Sequence, residues 1–69
     1  MTDAMREAHR RTARALREEG AAFRRKAEWH EKRGNARYAE TYRQSAESNE
    51  RMAADFEKRA EMGQEPTAI

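Results

Sequence analysis

The chain has 69 residues, of which 41% are charged and 36% hydrophobic, and it contains no cysteine. A chain of this length forms one small domain at most, and the absence of cysteine excludes disulfides and thiolate metal sites. The net charge of +2 permits contact with nucleic acid without requiring it, and no apolar run approaches the ~20 residues that cross a bilayer. We expect a soluble, cytoplasmic protein.

The first helix is predicted over residues 3–33. Thr2 or Asp3 can cap its first turn, and spacings of three and four place many of its apolar side chains on one face. Gly20 lies beside this face, and a glycine inside a helix costs about 1 kcal/mol relative to alanine. Because the apolar register agrees on both sides of Gly20, we expect the helix to continue through it. Three helices, with a break at this glycine, are the alternative.

A tight turn at residues 33–35 is predicted to separate two helices. Gly34 can adopt the left-handed conformation that ends a helix, and Asn35 can cap the helix that follows. The second helix is predicted over residues 36–62, and residues 63–69 are predicted to form a frayed tail. One continuous helix in a long coiled coil is the alternative.

Alanines recur at every seventh position on both sides of the turn, and this repeat predicts how the helices pair. Folding the chain back at Gly34 places alanines of the first helix opposite alanines of the second, so that small side chains line the contact. We predict an all-α fold, an antiparallel two-helix hairpin with an alanine-rich seam. The predicted pairs are Ala8 with Ala60, Ala15 with Ala53 and Ala22 with Ala46, and Ala39 continues the row.

Large apolar side chains are scarce, since the chain has one leucine and no valine. Burying one such side chain contributes about 1.5–3 kcal/mol, whereas ordering each residue costs about 1.5 kcal/mol. A lone hairpin would be marginally stable, so we expect a homodimer that forms a four-helix bundle, or association with another protein. The candidate core residues are Met5, Leu16, Phe23, Trp29, Tyr38, Tyr42, Met52 and Phe56.

Four aromatic residues near the turn are the candidate protein interface. A single hairpin cannot bury them all, and aromatic side chains dominate the energetics of many interfaces. We expect another chain to dock here, and we expect Trp29→Ala to reduce association more than helicity. The alternative is that these residues close the end of their own hairpin. The four residues are Phe23, Trp29, Tyr38 and Tyr42.

Arginines form a stripe along the first helix, opposite its apolar face. Guanidinium groups bind phosphate oxygens and carboxylates in a bidentate manner, so the stripe is a candidate contact for nucleic acid or an acidic protein. Glu7 and Glu18 lie among the arginines at helical spacing, which favours an ordinary solvated face. The stripe consists of Arg6, Arg10, Arg14, Arg17 and Arg24.

A polar pair, Glu19 and Asn49, is predicted at the centre of the seam. Polar groups at one level of a helical interface can fix its register or the number of partners. A catalytic role for Glu19 would need a second acid or a nucleophile with its base, and no such pattern is present. His9 and His30 lack the spacing of metal ligands on helices.

These observations favour a small non-enzymatic protein–protein interaction module, an adaptor or regulator that acts through helical surfaces. No catalytic, cofactor or metal site is predicted. A nucleic-acid-binding regulator that uses the arginine stripe on RNA or DNA is the first alternative. A structural component of a larger assembly, such as a phage particle, is the second.

Overall fold

The computed structural model describes residues 2–63 and contains two α-helices. Helix α1 spans Asp3–Lys32 without interruption at Gly20, and helix α2 spans Ala36–Met62. The two helices pack against each other, which confirms the predicted all-α hairpin. Residues 64–69 of the predicted tail lie outside the described residues.

The ends of the helices show how the chain enters, reverses and leaves. Thr2 caps α1, since its Oγ1 accepts a hydrogen bond from the backbone N–H of Met5 at 3.1 Å. Gly34 in the turn and Gly63 after α2 have φ of 78° and 70°, a left-handed conformation that glycine adopts without strain. Asn35 precedes α2 as predicted, but its side chain does not cap the helix. Its amide lies 3.4 Å from Nδ1 of His30 instead.

Small residues spaced seven apart form the seam on both helices. A Cβ built on Gly20 would lie 3.5 Å from the carbonyl oxygen of Ala46, and Nε of Arg6 donates to the carbonyl oxygen of Ala60 at 3.1 Å. These two contacts set the register, and the remaining small residues follow at the same spacing. The buried small residues are Ala13, Gly20 and Ala27 of α1, and Ala39, Ala46, Ala53 and Ala60 of α2.

The predicted alanine row is correct for α2 and wrong for α1. Ala8 and Ala15 are exposed and Ala22 is only half-buried, because this row lies on the side of α1 that faces away from α2. Helix α1 carries two rows of small residues on opposite sides, and the buried one contains a glycine. The predicted pairs of Ala8, Ala15 and Ala22 with alanines of α2 therefore do not form.

The hairpin is a flat ribbon of 48 × 20 × 13 Å with two different faces. Successive residues of a helix are rotated by 100° about its axis. Leu16 and Phe23 therefore lie on one side of the buried row of small residues that contains Gly20, and Arg17 and Arg24 lie on the other side. We call the first side the apolar face and the second the charged face. The apolar face carries Met5, Leu16, Phe23, Tyr38, Tyr42, Met52 and Phe56, and the charged face carries Arg17, Arg24, Glu31, Arg43, Glu50 and Glu57.

Candidate functional site

The apolar face remains partly open to solvent, because its large side chains are half-buried or exposed. Within residues 2–63 no large side chain is fully buried, and the buried set consists of six alanines, Gly20, His9 and Asn49. Met52 is 43% and Tyr38 62% exposed. The candidate core residues other than Trp29 therefore flank the seam instead of filling it, because two helices in such close contact leave no interior space for them. Trp29 is 51% exposed and does not belong to the core.

The aromatic residues of the predicted interface are connected through His30. The His30 ring stacks on Tyr42 and Tyr38, with centroids 5.4 and 5.3 Å apart, and Tyr42 stacks on Phe23 at 6.0 Å. Trp29 meets the edge of His30 at 5.0 Å. Trp29 belongs to the heptad row of Ala22, on the outer side of α1, so it lies beyond the margin of the apolar face.

Asn49 and Glu19 meet as the sequence predicted. Asn49 is only 6% exposed, and its Nδ2 donates to Oε1 of Glu19 at 3.0 Å and to the carbonyl oxygen of Leu16 at 3.4 Å. The Glu19 side chain is exposed at the edge of the apolar face. The pair thus links a buried amide to a carboxylate that another molecule could reach.

His9 is a buried polar residue beside the apolar face. It is 3% exposed, and its ring lies 5.7 Å from the ring of Phe56. Its Nε2 has no hydrogen-bond partner among residues 2–63. A buried polar atom without a hydrogen-bond partner costs about 1–3 kcal/mol. The isolated hairpin therefore carries this free-energy cost at Nε2 of His9. The sequence pattern did not reveal this burial.

Ion pairs seven residues apart close the charged face. Arg17 donates two hydrogen bonds to Glu57 at 2.8 and 2.6 Å, and Arg24 donates two to Glu50 at 2.7 and 2.8 Å. One heptad nearer the turn the charges of the two helices are reversed. There Arg43 of α2 donates a hydrogen bond to Glu31 of α1 at 3.0 Å. Bidentate pairs of this kind are geometrically specific, so they support the register of the seam from outside.

The same contacts shift the ionisation of the carboxyl groups. The hydrogen bonds from Arg24 lower the pKa of Glu50 below its ordinary value of 4.5, and those from Arg17 lower the pKa of Glu57 in the same way. The pKa values of both arginines are raised by their carboxylate partners. The two pairs therefore remain charged in mildly acidic solution.

The predicted arginine stripe is divided among several local contacts. Besides Arg17 and Arg24 in their pairs with α2, Arg14 binds Glu7 at 3.1 Å. Arg6 binds the carbonyl oxygen of Ala60 and lies 3.5 Å from Asp3. Arg10 forms no ion pair with the described residues. The structure therefore does not present five free guanidinium groups along α1.

The helices of residues 2–63 contain no apolar stretch long enough to cross a membrane. The chain matches no protein-family model, and comparison with curated proteins and with solved structures finds no significant similarity. The surfaces of the hairpin are therefore the basis for an inference about function.

Proposed function

We propose that this protein is a small non-enzymatic interaction module whose apolar face docks on another helical surface, and that the first such surface is a second copy of the chain. Two hairpins joined in this way form a four-helix bundle. The observation that carries the proposal is the buried set, which contains no large apolar side chain among residues 2–63. Burial of alanine and glycine alone removes little apolar surface from water, and the large side chains beside the seam are only half-buried, so they gain further stabilisation when the face is covered.

The dimensions of the ribbon suit a homodimer. A face of 48 × 20 Å covers about 960 Å² in projection, and a stable interface buries about 800 Å² on each partner. The half-buried side chains along this face, Leu16, Phe23 and Tyr42 among them, are of the type found at the centre of interfaces. Tyr38 extends the proposed interface to the turn.

The polar residues of this face supply specificity. Asn49 and Glu19 form one polar level within an otherwise apolar surface, and such a level penalises partners or registers that leave it unpaired. His9 adds another polar group beside this face, because its Nε2 has no hydrogen-bond partner among residues 2–63 of the isolated hairpin. We assign partner selection to the Asn49–Glu19 pair.

Nucleic-acid binding through the arginine stripe receives less support. A phosphate would have to displace carboxylates from Arg17 and Arg24, which already hold them in bidentate geometry. A place in a larger assembly is compatible with a docking face but has no separate observation in its favour.

A pair of matched substitutions on α2 tests the proposal. Met52→Asp puts a charge on the apolar face, whereas Ala54→Asp puts the same charge at an exposed position on the other side of the helix. We expect sedimentation velocity to show loss of the dimer for Met52→Asp and an unchanged dimer for Ala54→Asp. A Met52→Asp protein that sediments like the unsubstituted chain would overturn the proposal.

A further inference from the structure

A groove lies on the outer side of α1 near the turn, away from the seam. It has a volume of about 370 Å³, which lies within the range of small-molecule sites, roughly 300–1,000 Å³. One aromatic side chain, two cationic side chains and an imidazole surround a small residue at its floor. The lining residues are Ala22, Arg25, Lys26, Trp29 and His30.

The indole in this groove is exposed but held in place. Trp29 is 51% exposed, while the guanidinium carbon of Arg33 lies 3.6 Å from the centre of the Trp29 ring. Nη1 of Arg33 also donates to the Trp29 carbonyl oxygen at 3.0 Å. His30 contacts the indole from the side. An aromatic ring that is fixed before binding loses little entropy when a ligand stacks on it.

The surroundings of the groove are strongly basic. Residues 24–44 contain seven lysines and arginines against three glutamates, although the whole chain carries a net charge of only +2. Within the described part of the chain neither Arg25 nor Lys26 forms an ion pair, in contrast to Arg17 and Arg24 on the charged face. The dipole of α1 favours cations in its last turn, but Arg25 and Lys26 precede that turn.

We propose that this groove binds a nucleotide unit of single-stranded nucleic acid, with a base stacked on Trp29 and the phosphates paired with Arg25 and Lys26. Stacking on an aromatic side chain accepts any base, because every base has a π face, and cations beside the ring neutralise the backbone. An acidic protein segment would use the cations but has no need of a flat exposed indole. Lys26 lies over the Tyr42 ring, with its ammonium 5.6 Å from the ring centre, and would turn from it to reach a phosphate. The combination of an exposed ring, two cations without a carboxylate partner among the described residues and a groove of this volume therefore favours nucleic acid.

This site borders the proposed dimer interface, but its outer part lies away from it. Trp29 lies in the row of Ala22 on the outer side of α1, whereas the apolar face lies beside the seam. A hairpin whose apolar face is covered by a second copy would still expose Trp29 and Arg25, whereas Lys26 and His30 also contact Tyr42 of that face. Binding of nucleic acid and association of two chains can accordingly fail or succeed separately.

The single tryptophan of the chain provides the readout. Titration with an unlabelled oligothymidine or oligouridine of about 15 nucleotides, long enough for the site sizes of single-strand binders, should quench the Trp29 fluorescence. Anisotropy of the same oligonucleotides carrying fluorescein gives the affinity, and this affinity should fall steeply as salt is raised. Thymidine monophosphate serves as the free-nucleotide probe, and weaker binding of it than of the oligonucleotide is the expected result.

Three variants decide the assignment. Arg25→Glu with Lys26→Glu should abolish binding, and Trp29→Ala should weaken it roughly tenfold or more, the loss expected for one stacked base. Arg51→Glu with Lys58→Glu makes the same change of charge at exposed positions of α2 and should have much less effect. Circular dichroism and the sedimenting mass show whether each variant keeps its fold and association.

Other outcomes would overturn the assignment. Equal binding by the Trp29→Ala protein, or equal loss in the α2 control, would mean that the oligonucleotide only senses overall charge. Polyglutamate that binds as tightly as the oligonucleotide would assign the groove to an acidic protein. If the oligonucleotide does not quench the Trp29 fluorescence at low salt, the groove does not bind nucleic acid.

Discussion

The backbone of α2 passes so close to Gly20 that a Cβ there would lie 3.5 Å from the carbonyl oxygen of Ala46 and 3.6 Å from Cβ of Asn49. Both distances are ordinary van der Waals contacts. The seam therefore accepts a methyl group at this position but has no room for a longer side chain. These distances determine which side chains position 20 of the seam tolerates.

Replacement of Gly20 by alanine should stabilise the protein. Alanine restricts the unfolded chain and has the higher helix propensity, so we expect Gly20→Ala to raise the free energy of unfolding by about 0.5–1 kcal/mol. Urea denaturation at one fixed protein concentration measures the change, because association also contributes to stability. Gly20→Leu should lower stability in the same experiment. A destabilised Gly20→Ala protein would mean that the helices are closer than the structure shows.

Replacement of Ala13 by leucine should destabilise the protein, whereas replacement of Ala15 by leucine should have little effect on stability. Ala13 is 1% exposed, so Ala13→Leu should force the helices apart and destabilise the protein by about 1–3 kcal/mol. Ala15 is exposed, and Ala15→Leu should change stability by no more than ~0.5 kcal/mol. Thermal unfolding of the two proteins compares them directly. The reverse order of stability would restore the register predicted from the alanines alone.

The sequence identified the helices and the turn but not the side of α1 that is buried. Both rows of small residues in α1 repeat every seven positions, and the exposed row consists wholly of alanine. The neighbours distinguish the rows, since the buried row has apolar and imidazole side chains along one flank, opposite the arginines of the charged face, whereas the exposed row has charged side chains beside it. The first flank is His9, Leu16, Phe23 and His30, and the second is Arg11, Glu18, Arg25 and Lys26.

The sequence predicts those features of the candidate sites that do not depend on which face of α1 meets α2. The pair of Asn49 and Glu19 was found because Glu19 lies between the two rows of small residues in α1, so it reaches α2 whichever row is buried. The partners of Arg17 and Arg24 on α2 were missed, because which carboxylate an arginine reaches depends on which face of α1 meets α2. The burial of His9 was missed for the same reason.

Acid should weaken the hairpin through Glu50 and Glu57. Their folded-state pKa values lie below the ordinary value of 4.5 because Arg24 and Arg17 donate hydrogen bonds to them. Their contribution to stability is therefore complete above about pH 4.5 and is lost as the pH falls through the lowered pKa values. Unfolding by urea at several pH values should show this decline.

Glutamine variants separate these carboxylates from the rest. Glu50→Gln with Glu57→Gln should be less stable at neutral pH and should show a shallower decline in acid. Glu18→Gln with Glu28→Gln removes two carboxylates that form no ion pair within residues 2–63 and should keep the original profile. Identical acid profiles for the two double variants would contradict the role of the interhelical pairs.

Asn49 should determine the uniformity of the assembly more than its stability. Asn49→Leu replaces the buried amide with an apolar side chain, so we expect equal or greater thermal stability but a mixture of oligomers. Glu19→Gln retains an acceptor for Asn49 and should keep one species. Native mass spectrometry counts the species. A single Asn49→Leu species with the mass of the unsubstituted protein would show that the pair does not select partners.

The molar mass of the unsubstituted protein in solution, measured by light scattering over a wide range of concentrations, tests the central claim most directly. The claim is that the apolar face is covered by a second copy, because the hairpin alone leaves every large apolar side chain among its described residues half-buried or exposed. We predict a mass of twice the 8.1 kDa chain that declines only on strong dilution. A helical protein with the mass of one chain at every concentration would contradict it.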